Sequence, residues 1–107
     1  MSSSQSMHHL EERIVQSLRT VYDPEIPVNV YDLGLIYGIL IDTDGNSTIT
    51  MTLTSPNCPA SETLPVSVEK AVLSVSGIKT AKVEIVFEPP WNKEMMSQSA
   101  MLELGFL

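Results

Sequence analysis

Residues 35–54, LIYGILIDTDGNSTITMTLT, decide the fold of this chain. Leu35 to Ile41 is a nearly continuous apolar run with Gly38 inside it, and it reads as a buried strand. Asp42-Thr43-Asp44-Gly45-Asn46 follows as a hairpin turn, because Asp-Gly supplies the backbone geometry that such turns demand. Ser47 to Thr54 then alternates, with Ile49, Met51 and Leu53 on one face and Thr48, Thr50, Thr52 and Thr54 on the other. Strict alternation marks a strand with one face on the core. Two strands joined this closely form an antiparallel hairpin.

Upstream, residues 1–7 are Ser-, Gln- and Met-rich and read as a disordered leader, leaving 8–107 as a single domain. From His9 to Tyr22 the apolar positions Leu10, Ile14, Val15, Leu18, Val21 and Tyr22 fall at helical spacing and predict an amphipathic helix. Asp23-Pro24 ends it, since the residue before proline avoids helical geometry. Residues 23–34 hold Pro24, Pro27, Asn29, Asp32 and Gly34 and predict a long ordered loop, a common place for function. Downstream, Leu64, Val68, Ala71, Val72 and Val75 predict a second helix capped by Ser76-Gly77. Pro65 requires that helix either to begin near Thr63 or to start near Pro59 and bend. Thr80 to Phe87 alternates again, with Ala81, Val83, Ile85 and Phe87 on one face, and Pro89-Pro90-Trp91 stops it. Residues 93–105 carry Met95, Met96, Ala100, Met101 and Leu104 as a short amphipathic segment. The expected class is α/β (α+β): a three-stranded mixed sheet covered by helices, in the order α-β-β-α-β-α. The crossover through the second helix brings the third strand in parallel to one of the first two.

Composition narrows the function classes. The chain of 107 residues suits one domain and carries a net charge of −7, with its 6 basic residues dispersed. A nucleic-acid surface needs clustered basic charge, so nucleic acid is not the expected partner, and neither is an anionic membrane. No apolar run approaches the roughly 20 residues of a membrane span. The single cysteine, Cys58, cannot form an internal disulfide, which fits a reducing cytoplasm. The pair His8-His9 reads as a solvated helix entry.

Cys58 is the first candidate for chemistry. It sits in the turn Thr54-Ser55-Pro56-Asn57-Cys58-Pro59, stiffened by two prolines. Were the second helix to open near Pro59, its free N–H groups would favour the thiolate, a nucleophile and a soft metal ligand. The plainer alternative is a half-buried thiol acting as a small apolar residue. Asp23 and Glu25 place two carboxylates in a rigid segment, able to bind a hard metal or move a proton, or else to cap the helix and face solvent. Thr52 and Thr54 send hydroxyls toward the same turn, or serve as β-branched filler. Asp32 reads as a turn residue bonding local backbone. Trp91 reads as a lid on the core, with a partner anchor as the alternative.

These stretches together carry a resemblance. Asp23-Pro24-Glu25-Ile26-Pro27, Asp32-Leu33-Gly34-Leu35-Ile36-Tyr37, Met51-Thr52-Leu53-Thr54-Ser55-Pro56-Asn57-Cys58-Pro59, Glu88-Pro89-Pro90-Trp91 and Leu104-Gly105 resemble the metal–sulfur cluster biosynthetic domain, which includes SufT-like and PaaD-like proteins. The resemblance covers about residues 8–106. It implies an α/β domain and an accessory or carrier role in maturing iron–sulfur proteins in the cytoplasm. It also implies Cys58 as the functional cysteine, with Asp23, Glu25, Thr52 and Thr54 lining the site. PaaD-like members carry a further cysteine-containing segment, and this sequence has no second cysteine, which points to the SufT-like branch.

The expected function is therefore non-enzymatic. Cys58 acts as a thiolate ligand, the tentative metal-binding residue, or as a docking point in cluster transfer. The cofactor expectation is a transient iron–sulfur cluster or iron, with none stably bound. A cluster takes about four protein ligands, so one thiolate per chain requires a homodimer, a partner or small thiols. Expected partners are the assembly machinery and apo-client proteins. The alternative is an adaptor or accessory subunit of a metalloenzyme complex, PaaD-like, as in ring-hydroxylating oxygenase maturation, with Trp91 as the partner contact. A third reading makes Cys58 a nucleophile with Asp23 or Glu25 as its acid–base partner.

Overall fold

The computed structural model of the protein describes residues 3–24, 26–54 and 62–106. Three strands form one sheet in the order β1-β2-β3: β1 (Ile36–Ile41), β2 (Asn46–Met51) and β3 (Thr80–Ile85). β1 and β2 are the antiparallel hairpin read from residues 35–54, and β3 joins β2 in parallel. The mixed sheet expected from the sequence is therefore the one observed. The hairpin turn closes by Asp42 N–H donating to the Asn46 carbonyl at 2.9 Å. Asp42 Oδ1 accepts from the N–H groups of Asp44 and Asn46, both at 2.9 Å. These bonds hold the Asp42 carboxyl below its ordinary pKa, with the Asn46 backbone N–H the largest cause.

β2 is the central strand, and its alternation does what the pattern predicts at Ile49 and Met51, both fully buried. The regular strand ends at Met51, three residues before Thr54. β3 likewise ends at Ile85, so Phe87, expected on the core face, lies exposed. With β2 finished, Val86 makes the last ladder bond, its N–H donating to the Met51 carbonyl at 2.9 Å. Among the described residues nothing then pairs with residue 87, and the chain bends at 88–89. A β-bulge between Ile36 and Gly38 puts Tyr37 in as the extra residue of β1.

α1 runs Ser3–Leu18, taking in residues 3–7 as well, where no proline or glycine opposes a helix. It stops before the expected Tyr22 because Tyr22 forms an antiparallel bridge with Asn29, which draws the chain into extended geometry. Ile14 and Leu18, four apart on one face, are fully buried. α2 (Leu64–Leu73) resolves the question posed by Pro65. Residues 62 and 63 lie in a turn, Thr63 occupies the cap position and Pro65 sits in the first turn, where its missing N–H costs nothing. Its buried stripe is Leu64, Val68 and Val72. α1 and α2 pack on each other and on one face of the sheet. A short 3₁₀ turn (Lys93–Met95) and α3 (Gln98–Glu103) complete the domain, with Met96 and Ala100 buried. No helix among the described residues is long and apolar enough to cross a membrane.

Candidate functional site at one end of the sheet

The site is built where β2 ends and β1 begins. Three consecutive backbone bonds tie this end together. Val30 N–H donates to Val21 O at 2.8 Å, Leu35 N–H to Val30 O at 3.1 Å, and Thr52 N–H to Leu35 O at 2.8 Å. The loop carrying Asp23 is thereby stitched to the strand end carrying Thr52.

Asp23 is buried at 5% exposure, rare for a carboxylate. Its Oδ1 accepts from Ile26 N–H at 3.1 Å, and its own N–H donates to Val28 O at 3.3 Å. Such a bond three residues onward is the local turn chemistry for which aspartate is suited, and it fixes the loop across Pro24. Thr52 was expected on the polar strand face. It is instead 1% exposed, because the strand has ended and the chain turns inward with both Thr52 and Leu53 buried. The Thr52 hydroxyl has no hydrogen-bond partner among the described residues. An unmatched buried hydroxyl is costly and needs a reason. Thr54 is half-buried in a bend at the edge of the described segment. Cys58 follows Thr54 by four residues in sequence; Cys58 and Glu25 both lie outside the described residues. A helix running back from α2 to Pro59, one basis for an ionised Cys58, is not formed, since 62 and 63 are in a turn. Among the described residues no group of three or more His, Cys, Asp or Glu could hold a metal ion.

Asp32 lies in a turn, as read, but the side chain that bonds the backbone there is that of Asn29, and the Asp32 carboxylate meets the Asn29 amide instead. The Asp32 N–H donates to Asn29 Oδ1 at 2.9 Å, and its Oδ2 accepts from Asn29 Nδ2 at 2.8 Å. Arg19 Nε lies 3.9 Å from the same carboxylate, and the guanidinium stacks over Tyr31 at 5.2 Å.

The C-terminal segment braces the loop from outside. Trp91 is half-buried against the core, as expected of a lid, and its Nε1–H donates to Leu33 O at 2.7 Å. Ser97 N–H donates to Asp32 O at 2.8 Å. Between these two bonds Gly34 has φ +82, and a Cβ there would run into the Met95 carbonyl, so only glycine lets the segments meet. The Tyr37 hydroxyl donates to Pro89 O at 2.8 Å. Sequence reasoning missed the cleft of about 380 Å³ that results, lined by Ile26, Pro27, Trp91, Lys93, Met96, Leu104 and Phe106. The signal was present: Pro27, Trp91 and Phe106 are bulky apolar residues lying outside every predicted strand and helix. The Lys93 ammonium sits 5.1 Å from the Phe106 ring at its mouth.

The family model for "Iron-sulfur cluster assembly protein" matches residues 11–85, which contain the loop, the hairpin, Cys58 and β3. A Porphyromonas gingivalis protein named Fe-S protein maturation auxiliary factor is 63% identical over 97 residues, covering 91% of this chain and 92% of that protein. The Staphylococcus aureus Fe-S protein maturation auxiliary factor SufT is 39% identical over 85 residues, covering 79% of this chain and 97% of its own length. A Bacillus anthracis crystal structure, described as a domain of unknown function DUF59, superposes with a TM-score of 0.90 at 35% identity and covers 97% of this chain and 99% of its own. A family model that spans most of the chain, a relative of 63% identity and a fold shared at that score lead to one assignment: this chain belongs to the iron–sulfur cluster assembly protein family.

Proposed function

We propose that this protein is a non-enzymatic accessory factor in the maturation of iron–sulfur proteins, working in the reducing cytoplasm, with Cys58 as the thiolate that receives or docks the cargo. The observation that carries the reading is the sheet end itself. A buried carboxylate, Asp23, and a buried hydroxyl, Thr52, without a partner among the described residues, are fixed on backbone that leads in sequence toward the only cysteine, Cys58. Family membership and the names borne by its relatives supply the cargo: iron or an iron–sulfur cluster, which is substrate here rather than a resident group. Thiolate is the soft ligand such cargo requires, and the chain offers one per copy. The remaining ligands come from a second copy, a client protein or small thiols. The natural partners are the assembly machinery and apo-clients.

Anaerobic reconstitution with iron and sulfide tests this directly. Wild-type protein acquires charge-transfer absorption and delivers cluster to an apo-client, and Cys58→Ala does neither. A Cys58→Ala protein that holds and delivers cluster like wild type ends the ligand role. The cleft walled by Trp91 and Lys93 favours a second reading, an adaptor that recruits clients without touching cargo. Under it, client pull-down survives Cys58→Ala and fails on Trp91→Ala.

A further inference from the structure

β1 is an edge strand, hydrogen-bonded along one side only, to β2, among the described residues. The two edges of this sheet are treated differently. β3, the other edge, carries Lys82 and Glu84, paired at 3.3 Å, and charge of this kind guards an edge against further pairing. β1 carries none: from Leu33 to Ile41 no residue is charged, in a chain of net charge −7. Leu40 on this strand is 70% exposed.

Gly38 is the second anomaly. Glycine in a strand costs about 0.5–1 kcal/mol against alanine and is retained where a turn or a close approach requires it. The bulge between Ile36 and Gly38 adjoins it, but Gly38 has no positive φ, so neither the bulge nor a turn demands glycine there. Among the described residues a Cβ built on it meets nothing closer than Thr50 at 3.8 Å, an ordinary contact. The gap above Gly38 is therefore unused by the packing of the described residues. It lies on the same open sheet face as Leu40, two residues along.

We infer that β1 pairs with β1 of a second copy, antiparallel about a two-fold axis at Ile39, so that Leu40 of each copy fills the gap over Gly38 of the other. In this register residue 40 lies directly opposite residue 38 of the partner copy and on the same face. An axis perpendicular to the sheet keeps the helices of both copies on one side and yields a continuous six-stranded sheet. Charge allows it. The nearest carboxylates on the strand, Asp42 of each copy, end up about 20 Å apart by strand rise, well beyond a Debye length of about 8 Å. A patch that is uncharged and complementary to itself is what a strongly acidic chain needs to associate with its own copy. The inference does not rest on cluster handling. It names a surface by which a second thiolate is brought into the same particle, and its test reads mass rather than cluster.

Sedimentation velocity of the full chain over a wide concentration range is the experiment. Wild type gives a dimer. Leu40→Lys, at an exposed position, keeps the monomer's circular dichroism and weakens dimerisation by about 30-fold or more. Gly38→Val fills the gap and has the same effect on mass. Register is read by crosslinking in a Cys58→Ala background. An equimolar mixture of Gly38→Cys and Leu40→Cys chains gives a disulfide-linked pair under mild oxidant, since opposed Cα atoms are about 4.5–5.5 Å apart. Leu40→Cys alone does not, its two sulfur-bearing positions being about 8 Å apart at Cα. A wild-type chain that sediments as a monomer throughout overturns the inference. So does a dimer indifferent to Leu40→Lys and Gly38→Val, or crosslinking by Leu40→Cys alone but not by the mixture.

Discussion

Replacing Thr52 by valine separates what the fold wants from what the site wants. The side chain is 1% exposed and its hydroxyl has no partner among the described residues, so it bears a desolvation cost that they do not offset. A buried unmatched polar group costs about 1–3 kcal/mol, and valine keeps the shape while removing the oxygen. The Thr52 N–H bond to Leu35 O is a backbone bond and survives the change. Thr52→Val is therefore expected to stabilise the protein by about 1–2 kcal/mol, which for a domain of this size raises Tm by about 4–8 °C. Thermal and urea unfolding measure it, with an unchanged m-value as the check that the folded state is intact. If the hydroxyl serves the proposed cargo end, the same variant should deliver cluster to an apo-client more slowly than wild type. Stability rising while transfer falls is the signature of a group kept at a cost for function. A Thr52→Val protein destabilised by 1 kcal/mol or more would refute the reasoning, since it would mean that the hydroxyl is satisfied in the fold.

Gly34→Ala forces a Cβ toward the Met95 carbonyl at positive φ, and is expected to cost about 2–4 kcal/mol in chemical denaturation. Trp91→Phe leaves the Leu33 carbonyl without its indole donor and should cost about 1–2 kcal/mol, read by thermal unfolding against wild type. Asp42 should titrate below its ordinary 3.8, because Asn46 and Asp44 donate to the ionised form. Its folded pKa being depressed, the ionised carboxylate favours the hairpin above the unfolded value, and that contribution is lost as pH falls through the folded pKa. Carboxyl-carbon NMR follows the titration, and Asn46→Ala, which removes the side-chain donor at 3.0 Å, should raise the midpoint part of the way to 3.8.

Periodicity made most of the fold legible. Alternation at Ile49 and Met51, and four-residue spacing at Ile14 and Leu18 or Val68 and Val72, are local signals of burial, and all of these residues are buried. What periodicity lacked was knowledge of where neighbours stop. Phe87 continues the pattern of β3 perfectly well in sequence, yet β2 has already ended at Met51, so nothing holds residue 87 on the core face. Thr52 erred in the opposite sense: its alternation pointed outward, and the inward turn after Met51 buried it. α1 ended early for a similar reason, because the partner that pulls Tyr22 out of the helix is Asn29 across the loop. At the candidate site, Asp23 and Thr52 were legible as residue types in motifs, whereas their burial depends on long-range packing. The cleft beside Trp91 left only the hint of bulky apolar residues outside the predicted elements, because it joins residues 26–27 to residues 91–106 and no local pattern reports that meeting.

The brace between Trp91 and Leu33 joins positions 58 apart in sequence, and Ser97 reaches Asp32 across a comparable span. During synthesis the loop that presents Asp23 emerges long before the residues that clamp it. The working end of the molecule is thus finished late, after α2 and β3 are already made. Cargo offered to a nascent chain would meet a helix and a hairpin but no completed receptacle. If that end handles cargo as proposed, loading would be confined to chains released whole, a form of quality control that needs no separate inspector.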